Sequence, residues 1–361
     1  MKGKTITSLI DLTKFMGYAR PFFAWQIELT TRCPLRCRMC IREGAANWKA
    51  QDMKLEDFRK ISPCFGKAET IVLQGWGEPL LYKDLIEAVR IVRKKGARAG
   101  FVTSGATVGK EFISELIDAG TDFIGFSLAG AAAKTHDAIR LNSDFEVLLE
   151  NIRFFSEIKK EKKLDKPRLH LVYLMLKDNM ADVPLLVSLA KTAGIHDIIL
   201  TNLIHINNGW QEGQRIFSCT DPPPNDFEAL IRAAETEAKK LKVNLRVPAL
   251  RPADVPVCEE NPLKNLYISS EGEVSPCVYL YPPVPSPFKR IYCGNKFETE
   301  KASFGNIFRE PFEKVWSGHK YAEFRRCFEK RLRDHRGSSQ ADTKIAEPPA
   351  PCRTCHKIIG L

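Results

Sequence analysis

The sequence predicts an α/β protein, a TIM-like partial (β/α)6 barrel followed by a small cysteine-bearing C-terminal domain. Three observations carry this. From residue 24 to about 205, short apolar runs alternate with helical patterns. That alternation stops near residue 245. The 11 cysteines split into three at 33–40, six after residue 257, and Cys64 and Cys219 alone.

The apolar runs read as strands in order: "AWQIELT" (24–30), "TIVLQGW" (70–76), "RAGFVTS" (98–104), "DFIGFSL" (122–128), "RLHLVYLML" (168–176) and "DIILTNLI" (197–204). Each is compact and apolar, as parallel strands covered on both faces should be. The segments between them read as helices. "YKDLIEAVRIVRKKG" spaces its apolar residues every three or four positions and stops at Gly96. "GKEFISELIDAG" stops at Gly120, and "DVPLLVSLAKTAG" at Gly194. "SDFEVLLENIRFFSEIKK" offers Ser143 and Asp144 as caps. Strand–helix alternation implies a parallel sheet or barrel. Six strands fall short of a closed eight-stranded barrel, so an open one is expected, with its chemistry at the C-terminal strand ends.

After the proline-rich entry and helix of 221–243 the pattern becomes irregular. "NLYISSEGEVSPC" (265–277) reads as a hairpin turning at Glu271–Gly272. "YPPVPSPFKRIY" reads as a loop, 310–333 as a helix that Gly318 divides, and the stretch beginning "DHRGSSQ" as a polar linker. The expected organisation is an N-terminal extension over 1–20, the barrel over 21–244 and the cysteine-bearing domain over 245–361.

Composition narrows the class. The chain has 361 residues, 44% hydrophobic and 27% charged, as an ordinary globular protein does. Its start shows no signal-peptide pattern, and no run approaches the roughly 20 apolar residues of a membrane span. A cytoplasmic location is expected, where many cysteines point to metal rather than disulfides. The net charge of +11 is compatible with an acidic partner. The densest basic stretch, "IKKEKKLDKPR", reads as a solvated helix end, so nucleic acid is not the expected partner.

"TRCPLRCRMC" (31–40) follows the first strand directly and carries Cys33, Cys37 and Cys40. Three thiols suit neither paired disulfides nor a closed four-ligand zinc site. A four-iron cube held by three cysteines leaves one iron free to chelate a ligand. Arg32, Arg36 and Arg38 either offset the charge of such a cluster or form a solvated loop surface.

C-x3-C-x2-C after the first strand resembles the signature of the radical S-adenosylmethionine (SAM) superfamily. "QGWGEP" (74–79) resembles that family's glycine-rich motif, with Trp76 where many members have glycine. "TSGA" (103–106) resembles its T-N-G segment with Ser104 in the Asn position. "SLAG" (127–130) resembles S-x-D-G with Ala129 replacing the acid. The resemblance implies a [4Fe–4S] cluster on Cys33, Cys37 and Cys40. It also implies SAM contacts from Met39, Gly77, Glu78, Pro79, Ser104, Ser127 and Arg140. It assigns no catalytic residue beyond the cluster. The implied chemistry is one-electron cleavage of SAM to a 5′-deoxyadenosyl radical, which takes hydrogen from a substrate.

Cys258, Gly272 and Cys277 form C-x13-G-x4-C, and Cys352 and Cys355 form C-x2-C. With "FGNIFREPFEKVWSGHKYAEFRR" (304–326), these resemble the SPASM/twitch extension of radical SAM proteins. Only six residues follow Cys355, so one auxiliary [4Fe–4S] cluster is expected on Cys258, Cys277, Cys352 and Cys355. Cys293 and Cys327 are spare candidates, and zinc is the alternative metal for four thiolates. Cys64 reads as a small buried hydrophobe, and Cys219 has no evident partner. The resemblance implies an enzyme acting on a peptide or protein side chain, or in small-molecule or cofactor biosynthesis. A zinc-stabilised nucleic-acid-binding protein is a remote alternative that leaves the N-terminal triad unexplained. A flavodoxin or ferredoxin electron donor, both acidic, would suit the positive charge.

Overall fold

The computed structural model describes residues 20–45, 47–105, 108–219, 225–337 and 345–361. Apart from Arg20, the expected extension over 1–20 lies outside them. So do Ala106 of "TSGA", residues 221–224 of the proline-rich entry and residues 338–344 of the polar linker.

The six expected strands all form: β1 (Phe22–Ile27), β3 (Ala68–Val72), β4 (Arg98–Thr103), β5 (Phe123–Leu128), β7 (Arg168–Leu174) and β8 (Asp197–Thr201). They lie side by side in chain order, every pair parallel. Phe101, Ile124, Phe126 and Leu171 are almost wholly buried, as a sheet covered on both faces requires.

Two additions extend this sheet. β9 (Asn244–Arg246) joins β8 as a further parallel strand, across the expected junction near residue 245. At the opposite edge, β10 (Asn265–Ile268) runs parallel to β1, and β11 (Val274–Ser275) turns back antiparallel on it. The expected hairpin is thus built into the barrel's own sheet. Gly272 supplies its turn at φ 86°, where an added Cβ would lie 2.5 Å from Phe308.

The helices pack where the periodicity places them. α2 (Leu85–Lys94) buries Leu85, Ala88, Val89 and Val92, and α3 (Lys110–Asp118) buries Ile113, Leu116 and Ile117. α5 (Phe145–Glu161) is capped by Asp144, whose carboxylate accepts from Val147 N at 3.1 Å. α6 (Val183–Thr192) completes the barrel's cover. Gly96, Gly120 and Gly194 adopt φ of 77°, 87° and 74° just past their helices, as the stop signals predict.

Shorter elements include α1 (Leu55–Ile61), α4 (Ala133–Ile139) and α7 (Gly209–Gly213). α8 (Asn225–Leu241) precedes β9. Gly318 divides the C-terminal helical stretch into α9 (Phe312–Ser317) and α10 (His319–Gly337). The expected loop after "YPPVPSP" is instead a hairpin, β12 (Phe288–Tyr292) with β13 (Asn295–Thr299). Among the described residues, no helix is long and apolar enough to cross a membrane.

Candidate active site

The triad loop leaves the C-terminal end of β1 and is held from several sides. A two-residue strand, β2 (Arg36–Cys37), pairs antiparallel with β6 (Arg140–Leu141), setting Cys37 opposite Arg140. Cys40 N donates to the Cys37 carbonyl at 2.9 Å, closing one turn between the two cysteines. Met39 is buried with Leu35, Ala129, Ile139, Leu176 and Leu203.

Burial pushes the Cys33 thiol up to about 11 and Cys40 up to about 12. Two cations act on the triad. Arg42, which donates to the Cys33 and Leu35 carbonyls at 3.0 and 3.2 Å, favours ionisation of Cys33 and Cys40. Arg140 Nη1 lies 3.8 Å from Cys37 Sγ. Arg32, Arg36 and Arg38 are turned elsewhere. Arg32 grips Asp52 through two bonds, Arg36 pairs with Glu43, and Arg38 stacks over Trp210 at 4.2 Å.

The glycine-rich motif stands against this loop. Gly77 packs so closely that an added Cβ would sit 2.3 Å from the Thr30 carbonyl oxygen and 2.7 Å from that of Arg32. Glu78 N donates to Arg32 O at 2.8 Å. The Glu78 carboxylate is buried and fully engaged. It accepts from Thr103 Oγ1 at 2.6 Å, from Ser104 N at 2.7 Å, from Ser104 Oγ at 2.6 Å and from Leu80 N at 3.1 Å. Ser104 therefore works through Glu78, joining the ends of β3 and β4. Pro79 starts the short turn that follows.

Ser127 lies near the end of β5, half-buried. The adjoining "SLAG" segment is fixed from the β7 side. Asn179 Nδ2 donates to the Ala129 carbonyl at 3.1 Å, and Ala131 N donates to Asp182 Oδ2 at 2.9 Å. Arg140 Nε is buried and, among the described residues, has no hydrogen-bond partner. A guanidinium beside the triad with an unfilled donor fits an anionic ligand such as the SAM carboxylate. Three thiols on one loop fit a cluster with one open iron.

The second thiol set gathers Cys258, Cys277, Cys352 and Cys355 from three distant stretches. Burial pushes Cys258 up to about 12, and Cys277 and Cys352 well above the usual thiol range. After burial, Glu260 and then the neighbouring thiols raise Cys277 further, Cys355 and then Glu260 raise Cys258, and Cys355 and Cys258 raise Cys352. Cys355 N donates to the Cys352 carbonyl at 3.1 Å, the same one-turn closure as Cys40 on Cys37.

Two buried arginines staple this set. Arg290 donates to the Pro351 and Tyr279 carbonyls at 3.1 and 3.0 Å. Arg331 donates to the Pro256 and Val255 carbonyls at 3.1 and 2.8 Å. Both favour the Cys352 thiolate or hold the loops on either side of it. A zinc ion brings its thiolates within about 4 Å of one another. Among the described residues, the group of ligand atoms gathered that tightly, all within 4.8 Å, lies elsewhere: Cys219, Cys293 and His356.

Two expectations for the remaining cysteines change. Cys219 does have a partner: it is disulfide-bonded to Cys293, which is thereby engaged away from the four thiols. The β12–β13 hairpin, unforeseen in the sequence, brings them together, and the pair departs from the expectation of metal alone. Cys327 is a half-buried free thiol on α10, and Cys64 is half-buried against the core.

Glu28 was not singled out in the sequence, although an acid inside the apolar run "AWQIELT" is a signal. It is 1% exposed. Its carboxylate accepts from Trp76 N at 2.8 Å, Ser270 Oγ at 3.2 Å and Ser270 N at 3.3 Å, linking the glycine-rich motif to the β10–β11 hairpin. Burial pushes its carboxyl up to about 7. Trp76 packs edge-on to His205 and Tyr279, and His205 stacks on Phe288.

Two cavities adjoin here. One, of about 270 Å³, is lined by Ile41, Asn47, His205, Val284 and Phe288 among others. The second, of about 300 Å³, shares Asn47, Val284 and Pro285 with it and adds Glu28, Lys49 and Lys301.

Comparison with known proteins is consistent with this geometry. The radical SAM superfamily pattern matches residues 27–190, and an iron-sulfur cluster-binding domain, SPASM, matches residues 258–356. The chain is 24% identical to a tungsten-containing aldehyde ferredoxin oxidoreductase cofactor-modifying protein of Pyrococcus furiosus, over 83% of this chain and 82% of that one. It is 29% identical to a PqqA peptide cyclase of Xanthomonas campestris, over 73% and 69%. Its fold is similar to that of Streptococcus suis SuiB bound to S-adenosylmethionine, with TM-score 0.61 and 14% identity, covering 88% of this chain and 70% of SuiB.

Proposed function

Because this chain belongs to the radical SAM superfamily and carries a SPASM iron–sulfur cluster-binding domain, we propose that it modifies a peptide or protein side chain. It is an enzyme whose cofactors are [4Fe–4S] clusters and SAM. We assign the SAM-binding cluster to Cys33, Cys37 and Cys40, and one auxiliary cluster to Cys258, Cys277, Cys352 and Cys355. When bound, the first cluster supplies the electron that splits SAM into methionine and a hydrogen-abstracting 5′-deoxyadenosyl radical.

The chain's own residues position and shield. Gly77 lets the glycine-rich backbone approach the triad loop, and Glu78 holds that backbone to Ser104. Pro79 fixes the turn after it. Arg140 offers its unfilled donor to the SAM carboxylate, Ser127 adds a hydroxyl from the end of β5, and Met39 lies against the adenine. An acidic flavodoxin or ferredoxin is the proposed electron donor for a chain of charge +11.

The observation that carries the peptide reading is the pair of adjoining cavities beside the triad loop. They share Asn47, Val284 and Pro285 and are lined by Lys49, Glu271 and Lys301 as well as apolar groups, a mixture that would suit several consecutive residues of an extended chain. Likeness to a PqqA peptide cyclase supports it. A second reading, modification of a cofactor, is favoured by likeness to the Pyrococcus furiosus cofactor-modifying protein along most of both chains.

Isotope transfer separates the two. The reconstituted enzyme is given SAM, dithionite and either a perdeuterated peptide encoded beside its gene or a deuterated small-molecule cofactor precursor. Deuterium appearing in 5′-deoxyadenosine from the peptide is the expected result. Transfer from the cofactor precursor alone would replace the peptide reading with the second.

A further inference from the structure

The stretch from 204 to 219 leaves the end of β8 and touches the surroundings of both thiol sets. Asn207 Nδ2 donates to the Ile41 carbonyl at 2.9 Å, and Gln211 Nε2 to those of Arg38 and Cys40 at 3.3 and 3.2 Å. At its far end, Cys219 meets Cys293 at the tip of the β12–β13 hairpin. The two turn residues, Cys293 and Gly294, have φ of 50° and 82°. Such a two-residue turn favours Asn-Gly. A non-glycine residue with positive φ is uncommon, and such strain concentrates at functional sites.

A third group completes the arrangement. His356 is wholly buried, and its ring nitrogen and the two sulfurs lie within 4.8 Å of one another. Its Nδ1 faces the Ile204 carbonyl at 3.3 Å. Donation from Nδ1–H to that carbonyl leaves the lone pair on Nε2, which accepts from Cys293 N at 3.4 Å in the disulfide form, a bond that a metal ion would replace. This is how metal-ligating histidines are oriented, with the second nitrogen anchored to a carbonyl. Arg215 Nη1 lies 3.8 Å from Cys219 Sγ.

We propose that in the reduced protein Cys219, Cys293 and His356 bind one zinc ion, separate from both iron–sulfur clusters. Two thiolates and one imidazole match zinc's preference and leave a fourth position for water. The disulfide is the metal-free, oxidised form of the same site. The exchange balances with an added dithiol. The protein disulfide, the dithiol and Zn²⁺ give the zinc dithiolate, the oxidised dithiol and two protons. Its two electrons come from the dithiol. The site joins the stretch after the barrel's last expected strand, the hairpin and the C-terminal tail, so zinc fastens the auxiliary segment to the helix that grips the triad loop.

The test uses whole protein with both clusters reconstituted, treated anaerobically with dithiothreitol and zinc chloride and then desalted. The wild type should retain about one zinc per chain alongside about eight irons. Cys219→Ser and Cys293→Ser should each lower zinc at least tenfold with iron unchanged, and Cys327→Ser should keep both. Zinc-edge X-ray absorption on the wild type, which does not depend on any variant folding, should show two sulfur and one or two nitrogen or oxygen neighbours. Absence of zinc from the reduced wild type, or a four-sulfur shell, overturns the proposal. So does undiminished zinc in Cys219→Ser. Loss of iron rather than zinc in Cys219→Ser or Cys293→Ser would make these residues cluster ligands and overturn it as well.

Discussion

Glu28 shows how a single buried acid becomes a pH-dependent element of the fold. Its carboxyl titrates near 7 in the native chain and near 4.5 when unfolded, because burial disfavours the charged form. Between those values the unfolded chain has lost the proton and the native one keeps it. Native stability therefore falls as pH rises from about 4.5 to about 7, by roughly 3 kcal/mol, and is level above that window. Glu28→Gln removes the titration while keeping an acceptor for Trp76 N. Thermal midpoints of the wild type and Glu28→Gln should nearly coincide at pH 5, with the variant more stable at pH 8. A difference that stays constant between these pH values would show that Glu28 is not the titrating group.

The residue scale also shows where sequence reading stops. The seven cysteines proposed as ligands and "QGWGEP" stand out in the sequence because spacing of this kind carries chemical meaning. The cations were not. The arginines beside the triad in sequence, Arg32, Arg36 and Arg38, bond to Asp52, Glu43 and Trp210. Arg42 and Arg140 serve the thiols instead, because the loop curls back on itself and β6 returns to pair with it. Side-chain direction in an irregular loop depends on partners distant in sequence.

At the scale of elements, periodicity located the six barrel strands and the main helices, since each buries one apolar pattern locally. It did not reveal β9, the union of β10 with β1, or the β12–β13 hairpin. Sheet edges are joined by residues more than 200 positions apart, as Ala24 is with Asn265. Prolines before Phe288 also make that hairpin read as a loop. Helix α7 was missed because five residues carry too little pattern, yet it braces the triad loop.

Its Gln211 is fully buried and donates to two carbonyls of that loop. Gln211→Ala leaves both carbonyls without these partners, a loss of about 1–3 kcal/mol. Chelator-driven release of the triad's iron should quicken in this variant, while the auxiliary iron leaves at the wild-type rate. Equal acceleration of both, or of neither, would remove α7 from the role of brace.

Across the whole molecule, one sheet links the triad loop to Cys277 of the second thiol set. The triad loop springs from the end of β1, and the β10–β11 hairpin that precedes Cys277 is bonded to β1's free edge. Trp76, His205 and Tyr279 fill the space where the barrel end meets the auxiliary segment. The two sets differ in what they leave open. Three cysteines, beside an Arg140 whose buried Nε has no partner among the described residues, make an incomplete ligand set. Four cysteines stapled by Arg290 and Arg331 close their own set. The account thus gives SAM cleavage to the triad alone.

Formation of 5′-deoxyadenosine from SAM and dithionite, measured with iron content in cysteine variants, tests that division most directly. Alanine at Cys33, Cys37 or Cys40 should abolish the product. Alanine at Cys258, Cys277, Cys352 or Cys355 should lower iron from about eight to about four per chain and leave SAM cleavage in place. Product surviving in a triad variant, or vanishing in an auxiliary variant that keeps about four irons, would contradict the account.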